Sequence, residues 1–148
     1  MVYCSLNKSS SRKKPHSARP EEIVRQKLLH FLVSTLLFPK DLIAVEKAIA
    51  DHNSSGHLSP KRRRADIICY SVIQGVCRPL LLIECKKSTP SAADFLQLEG
   101  YNTFVNAPFV ALVTLTCAHT GYYDKALNGY RYQEGLLDYA SLKKLVEA

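Results

Sequence analysis

No stretch of this chain approaches the roughly 20 consecutive apolar residues of a membrane span. The longest candidate, Leu28 to Phe38, is short and is interrupted by His30, Ser34 and Thr35. Early positive charges at the N-terminus are followed by no apolar core, so a secretory signal is not expected either. The five cysteines, Cys4, Cys69, Cys77, Cys85 and Cys117, form no C-x-x-C pair. Their number is odd, and none of the five histidines stands at zinc-ligand spacing from them. Buried free thiols in a reducing cytoplasm are therefore expected. Internal repeats are absent as well. At 148 residues, a motor or a second catalytic module would have to be another chain.

What is present is globular. Hydrophobic residues make up 47% and charged residues 22%, values of a chain that buries a core. The net charge of +7 is confined to two short segments. Residues 1–19 carry five basic side chains and no acid, and Lys61-Arg62-Arg63-Arg64 adds four more. The remainder holds 11 basic and 13 acidic residues, so it is slightly acidic. Charge concentrated in this way suits a polyanion, most often nucleic acid.

Residues 1–18 are polar and aperiodic, and are expected to form a disordered basic tail ahead of one domain over 19–148. Pro20 opens a helix, with Glu21 and Glu22 complementing its positive end. Val24, Leu28, Phe31 or Leu32, and Thr35 or Leu36 recur at helical spacing, and the helix stops before Pro39. A strand follows over Leu42 to Ile49, then a loop from Asp51 to Pro60. Ala65 to Ile73 and Pro79 to Lys86 read as strands on either side of a Gln74-Gly75 turn, which makes them a hairpin. Thr89-Pro90-Ser91 starts a helix over Ala92 to Val105 that carries Phe95, Leu98, Tyr101 and Val105 on one face. Asn106 and Pro108 end it. An apolar central strand is expected from Phe109 to Cys117, a hairpin with Asn128-Gly129 at its turn from Tyr122 to Tyr132, and a closing helix from Leu136 to Glu147. The order is α-β-β-β-α-β, then a hairpin and a helix.

One constellation in this pattern carries chemistry. Side chains two apart in a strand share a face, so Glu84 and Lys86 point the same way, and Ile83 and Cys85 point the other. Hairpin pairing can set Asp66 across from Glu84. Two carboxylates and a lysine then converge at the end of an apolar hairpin, an expensive arrangement for a scaffold. A hard divalent cation such as Mg²⁺ between Asp66 and Glu84 removes the repulsion. Lys86 beside it could orient an attacking water and stabilise charge on a phosphate.

Several segments resemble, in order, the N-terminal nuclease domain of type I restriction enzyme R subunits, a branch of the PD-(D/E)xK nuclease superfamily. Arg19-Pro20-Glu21-Glu22-Ile23-Val24-Arg25-Gln26 resembles the opening helix, and Ile43-Ala44-Val45-Glu46 the first strand. Arg64-Ala65-Asp66-Ile67 resembles the segment with the metal-binding aspartate, and Leu82-Ile83-Glu84-Cys85-Lys86 the E-x-K strand. Gln97-Leu98-Glu99-Gly100-Tyr101-Asn102 resembles the Q-x-x-x-Y helix. The resemblance covers about residues 19–120.

The resemblance implies an α/β fold with a restriction-endonuclease-like core, a mixed central sheet flanked by helices. It also implies a Mg²⁺-dependent DNA endonuclease, with Mn²⁺ as a substitute, leaving a 5′-phosphate. Asp66 and Glu84 would hold the metal, with the Cys85 carbonyl as a candidate third ligand, and Lys86 would be the catalytic lysine. Glu22 would be the acid of the first helix, with Glu21 its rival. Gln97 and Tyr101 would position DNA or the lysine. Glu46 is either a further acidic contributor or an exposed strand residue. Lys61, Arg62 and Arg63 would grip the DNA backbone without reading sequence. The expected partners are DNA, with a homodimer and a separate motor or specificity subunit as further candidates, in the cytoplasm and away from membranes. Two departures stand out. The strand Val113 to Gly121 lacks the family's Thr-Asn-Gly turn, and no G-x-x-x-x-G-K-[ST] loop is present. The expectation is thus a standalone nuclease without a motor; the alternative is a DNA-binding module with an idle nuclease fold, serving another DNA-processing protein.

Overall fold

Proline at the first helical position, followed by Glu21 and Glu22 in the first turn, starts α1 (Pro20–Ser34). The computed structural model describes residues 19–48 and 64–148. The helix buries Val24, Leu28, Leu29 and Leu32, while Phe31 is exposed, so the apolar stripe runs through Leu32 and on to Leu36. A 3₁₀ turn, Lys40–Leu42, leads into β1 (Ile43–Ala48).

The hairpin of β2 (Arg64–Ile73) and β3 (Val76–Cys85) is closed by Gln74 and Gly75, both at positive φ (52° and 77°). Two such residues form the tight turn whose twist matches paired strands. α2 (Ala92–Val105) then crosses over to β4 (Phe109–Val113), and β5 (Ala118–Asp124), β6 (Gly129–Glu134) and α3 (Tyr139–Glu147) follow. The six strands lie in sequence order in one open mixed sheet. Only β3 and β4 are parallel, as a helical crossover requires; the other neighbours are antiparallel.

The sheet is covered on both faces, giving an α/β arrangement of three layers. On one face, Leu28, Leu29 and Leu32 of α1 and Leu142 of α3 pack over Ile67, Cys69, Ile83 and Ala111. On the other, Leu98, Tyr101 and Val105 of α2 pack over Ile68, Leu82, Val110 and Leu112. Each fully buried Leu or Ile contributes about 1.5–3 kcal/mol of transfer free energy. The far end of α2 is pinned by Asn102. Its side chain exchanges two 2.8 Å hydrogen bonds with the Ala107 backbone, and Asn106 reverses the chain at φ 60°. This leaves the N-terminal turn of α2 beside the end of β3.

The observed elements correct four of the sequence-based bounds. β3 begins at Val76, with Pro79 inside it. Proline is accommodated there because β4 pairs only from Leu81 onward and a register shift lies at Cys69/Tyr70. β4 ends at Val113 instead of Cys117. The Thr114 hydroxyl accepts from the amides of Thr116 (3.2 Å) and Cys117 (3.1 Å) and turns the chain. The second hairpin accordingly begins at Ala118, and its Lys125–Asn128 turn places Asn128 at φ 52° with Gly129 starting β6. α3 starts at Tyr139 because Asp138 caps it, accepting from the Ser141 amide at 2.8 Å. Among the cysteines, Cys69 and Cys85 are buried, but Cys77 is exposed at the open end of β3. The expected tail over 1–18 and the expected loop from Asp51 to Pro60 lie outside the described residues.

Candidate active site

Antiparallel register brings the two carboxylates together. Ile67 pairs with Ile83, so one further step sets Asp66 against Glu84. The Asp66 Oδ2 accepts a hydrogen bond from the Cys85 backbone N–H at 2.8 Å. Glu84 is only 8% exposed, and its Oε1 has no hydrogen-bond partner among the described residues. Burial and then the Asp66 charge push the Glu84 carboxyl up to about 8, against opposing pulls from Lys86 and an Asp66 backbone hydrogen bond. Burial beside Asp66 therefore favours the protonated form of Glu84 in the metal-free fold.

A cavity of about 310 Å³ opens at this end of the sheet. Asp66, Glu84, Cys85 and Lys86 form one wall, and Arg19, Glu21, Glu22 and Arg25 of α1 form the other. Glu21 and Glu22 both line it, so lining does not separate the two. Glu22 is the more constrained: Arg25 Nη2 donates to its Oε2, and Gln26 Nε2 donates to its Oε1 at 3.0 Å. The Cys85 thiol is raised by burial and then by the Asp66 charge, so it stays protonated and takes no part as a nucleophile.

Lys86 follows the last residue of β3, and its amide donates to the Val113 carbonyl at 2.9 Å. Its ammonium reaches across to the first turns of α2. There Nζ donates to Gln97 Oε1 at 3.4 Å and lies 3.6 Å from Asp94 Oδ1. Hydrogen bonds from Ser91, its backbone amide first, and then the Lys86 charge hold the Asp94 carboxyl below its ordinary range. Tyr101 lies one turn beyond Gln97 and is 8% exposed within the apolar cluster under α2; it does not line the cavity. Lys61, Arg62 and Arg63 lie outside the described residues, as does the side chain of Glu46.

Among the described residues no three His, Cys, Asp or Glu side chains cluster as a metal cage. The donor set is instead two carboxylates with water space before them. A buried carboxylate oxygen without a partner among the described residues, beside a second carboxylate, fits a hard divalent cation. Mg²⁺ is commonly held by only one or two carboxylates.

Three cavity-lining or lysine-contacting residues, Arg19, Arg25 and Asp94, were given no site role from the sequence. Arg25 is 5% exposed although charged. The available signal was a cation three residues before Leu28 inside the apolar stripe of α1. Asp94 was hidden in its capping role, for Ser91-x-x-Asp94 reads as a helix start.

A family model described as type I restriction enzyme R protein N terminus matches residues 20–132. The chain belongs to this family. The matched segment of the type I restriction enzyme R protein N terminus runs from α1 into β6 and holds every cavity-lining residue except Arg19. Membership gives the domain a nuclease-related role on DNA. Neither the curated proteins nor the solved structures contained a match to the chain. Among the described residues no helix is long and apolar enough to cross a membrane.

Proposed function

We propose that this R-protein N-terminal domain has a restriction-endonuclease-like core and is a Mg²⁺-dependent DNA endonuclease. The observation that carries the reading is the buried Asp66–Glu84 pair, with an unsatisfied Glu84 oxygen, beside the Lys86 ammonium.

Asp66 and Glu84 would hold the cation, with the Cys85 carbonyl as a third oxygen donor. When bound, Mg²⁺ supplies Lewis-acid polarisation of the scissile phosphate and lowers the pKa of water. The protein's own part is positional. The Cys85 amide fixes the Asp66 carboxylate, and β3 fixes Glu84 from within the core. Lys86 presents an ammonium to the phosphate, where it stabilises the charge that develops during in-line attack. Gln97 orients that ammonium. Glu22, clasped by Arg25 and Gln26, supplies a fixed negative charge on the opposite wall. Lys61, Arg62 and Arg63, three to five residues before Asp66 in the sequence, attract the DNA backbone. The partners in this reading are DNA and, for cleavage of two strands, a second copy of the chain or a separate motor or specificity subunit.

The test is cleavage of linear, branched and single-stranded DNA in Mg²⁺. Cuts with 5′-phosphate ends are expected on at least one form. Binding of DNA with no cutting of any form would favour an idle nuclease fold.

A further inference from the structure

The ammonium of Lys86 sits beside the N-terminal turn of α2, the positive end of that helix's dipole. Left alone, that placement repels. Asp94 reverses it. One of its oxygens, Oδ2, accepts from the Ser91 amide at 2.8 Å and is committed to the helix cap. The other, Oδ1, lies 3.6 Å from Lys86 Nζ. The Ser91 hydroxyl completes the box by accepting from the Asp94 amide at 3.3 Å. Gln97, one turn on, holds the same ammonium from the same helix face. Lys86 and Asp94 side chains are 27% and 28% exposed, so the pair stands at the rim of the cavity, partly shielded from water.

We propose that Asp94 is a positioning residue for Lys86: its carboxylate holds the lysine ammonium over the cavity, and the Ser91 backbone amide that anchors its other oxygen doubles as the rigid support of that contact. The proposal rests on the nuclease reading for its consequence in catalysis, but the positioning itself does not. A lysine side chain has four rotatable bonds, and a partner fixed to a helix end removes freedom that an exposed partner would leave. The aspartate acts through Lys86 and touches no substrate.

The experiment compares wild type with Asp94→Asn, Asp94→Ala and Ser91→Ala. Asparagine keeps a carbonyl oxygen for the Ser91 amide but loses the charge; Ser91→Ala weakens the box and keeps the carboxylate. Two readouts are taken, steady-state cleavage and ¹³C relaxation of the Lys86 Cε methylene in the DNA-free protein. In both Asp94 variants Lys86 is expected to become more mobile, and kcat to fall about 10–100-fold, as for other supporting-shell residues, with KM for DNA within twofold. Ser91→Ala should lower the melting temperature yet leave Lys86 order and kcat near wild type. Unchanged Lys86 order in Asp94→Asn overturns the proposal, whatever cleavage shows. A cleaving wild type whose kcat survives Asp94→Asn overturns it equally. If the wild type cuts no DNA, the nuclease reading fails, and a loss of Lys86 order in Asp94→Asn still supports the positioning contact.

Discussion

Asp66 reaches across the β2–β3 hairpin and accepts a hydrogen bond from the backbone of Cys85, the residue flanked by Glu84 and Lys86. One carboxylate thereby aligns the strand that carries the other two groups. Its removal has two opposing effects on the fold. An orphaned Cys85 amide costs about 1–3 kcal/mol, whereas loss of the repulsion with Glu84 relieves strain. Asp66→Asn keeps an acceptor and removes the charge, so it should melt at or above the wild-type temperature while cleavage is abolished. Asp66→Ala should be abolished in cleavage with a lower melting temperature than Asp66→Asn. Thermal melts alongside a cleavage assay check both; full activity in Asp66→Asn contradicts them.

The Glu84 carboxyl, raised from 4.5 to about 8, makes stability depend on pH in the absence of metal. Below pH 4.5 the group is protonated in folded and unfolded chains alike, and its contribution is fully present. As pH rises toward 8 the unfolded chain ionises first, so stability is lost, on the order of 4 kcal/mol over that window. Urea midpoints across pH 4.5–8 should fall for wild type in EDTA. Glu84→Gln should flatten the slope, and an equal slope in that variant would refute the assignment.

Divalent cations should counter the same loss. Mg²⁺ or Mn²⁺ should raise the melting temperature at pH 8 and support cleavage. Ca²⁺ should bind and stabilise without supporting it, since it takes more ligands at longer distances. Calorimetry showing undiminished binding to Asp66→Ala contradicts the ligand assignment.

Much of this site was legible because it depends on local rules. A Gln74-Gly75 turn forces antiparallel pairing, and pairing with period two brings Asp66 to Glu84. The helix over Ala92–Val105 was legible too, since its start and its apolar face agree. What stayed hidden depends on tertiary contact. The run through Thr114 to Cys117 has the composition of a strand, and only the side-chain hydroxyl of Thr114 turns it. Pro79 marked the start of a strand in the sequence, yet β3 runs back to Val76, since no β4 residue pairs beside Pro79. Arg25 and Asp94 looked like ordinary helix residues until neighbouring elements gave them a cavity and a lysine.

Gly121 is a packing requirement of the second hairpin. A Cβ there would come within 2.5 Å of the Tyr132 ring. That ring cannot swing away cheaply, because its hydroxyl donates to Glu99 at 2.9 Å and it packs edge-to-face with Phe95. Gly121→Ala should destabilise the protein by about 1–3 kcal/mol. Urea unfolding measures it, and an unchanged midpoint would show the ring to be free.

The basic run is expected to bind backbone phosphates. Neutralising Lys61, Arg62 and Arg63 should weaken DNA binding equally across sequences and flatten the salt dependence by about 0.9 per lost contact on duplex. Removing residues 1–18 should lower affinity less and leave the cleavage pattern unchanged. Affinity against salt for both variants decides this; an unchanged slope in the triple variant contradicts it.

The most direct single measurement is nicking of supercoiled plasmid in Mg²⁺ and in EDTA by wild type, Glu84→Gln and Lys86→Ala, each checked for folding by thermal melt. Wild type should cut only with Mg²⁺, and each folded variant should be slower by about 100-fold or more, the scale of losing a transition-state charge partner. A wild type that cuts equally in EDTA, or folded variants that cut at its rate, would contradict a metal-dependent nuclease built on Asp66, Glu84 and Lys86.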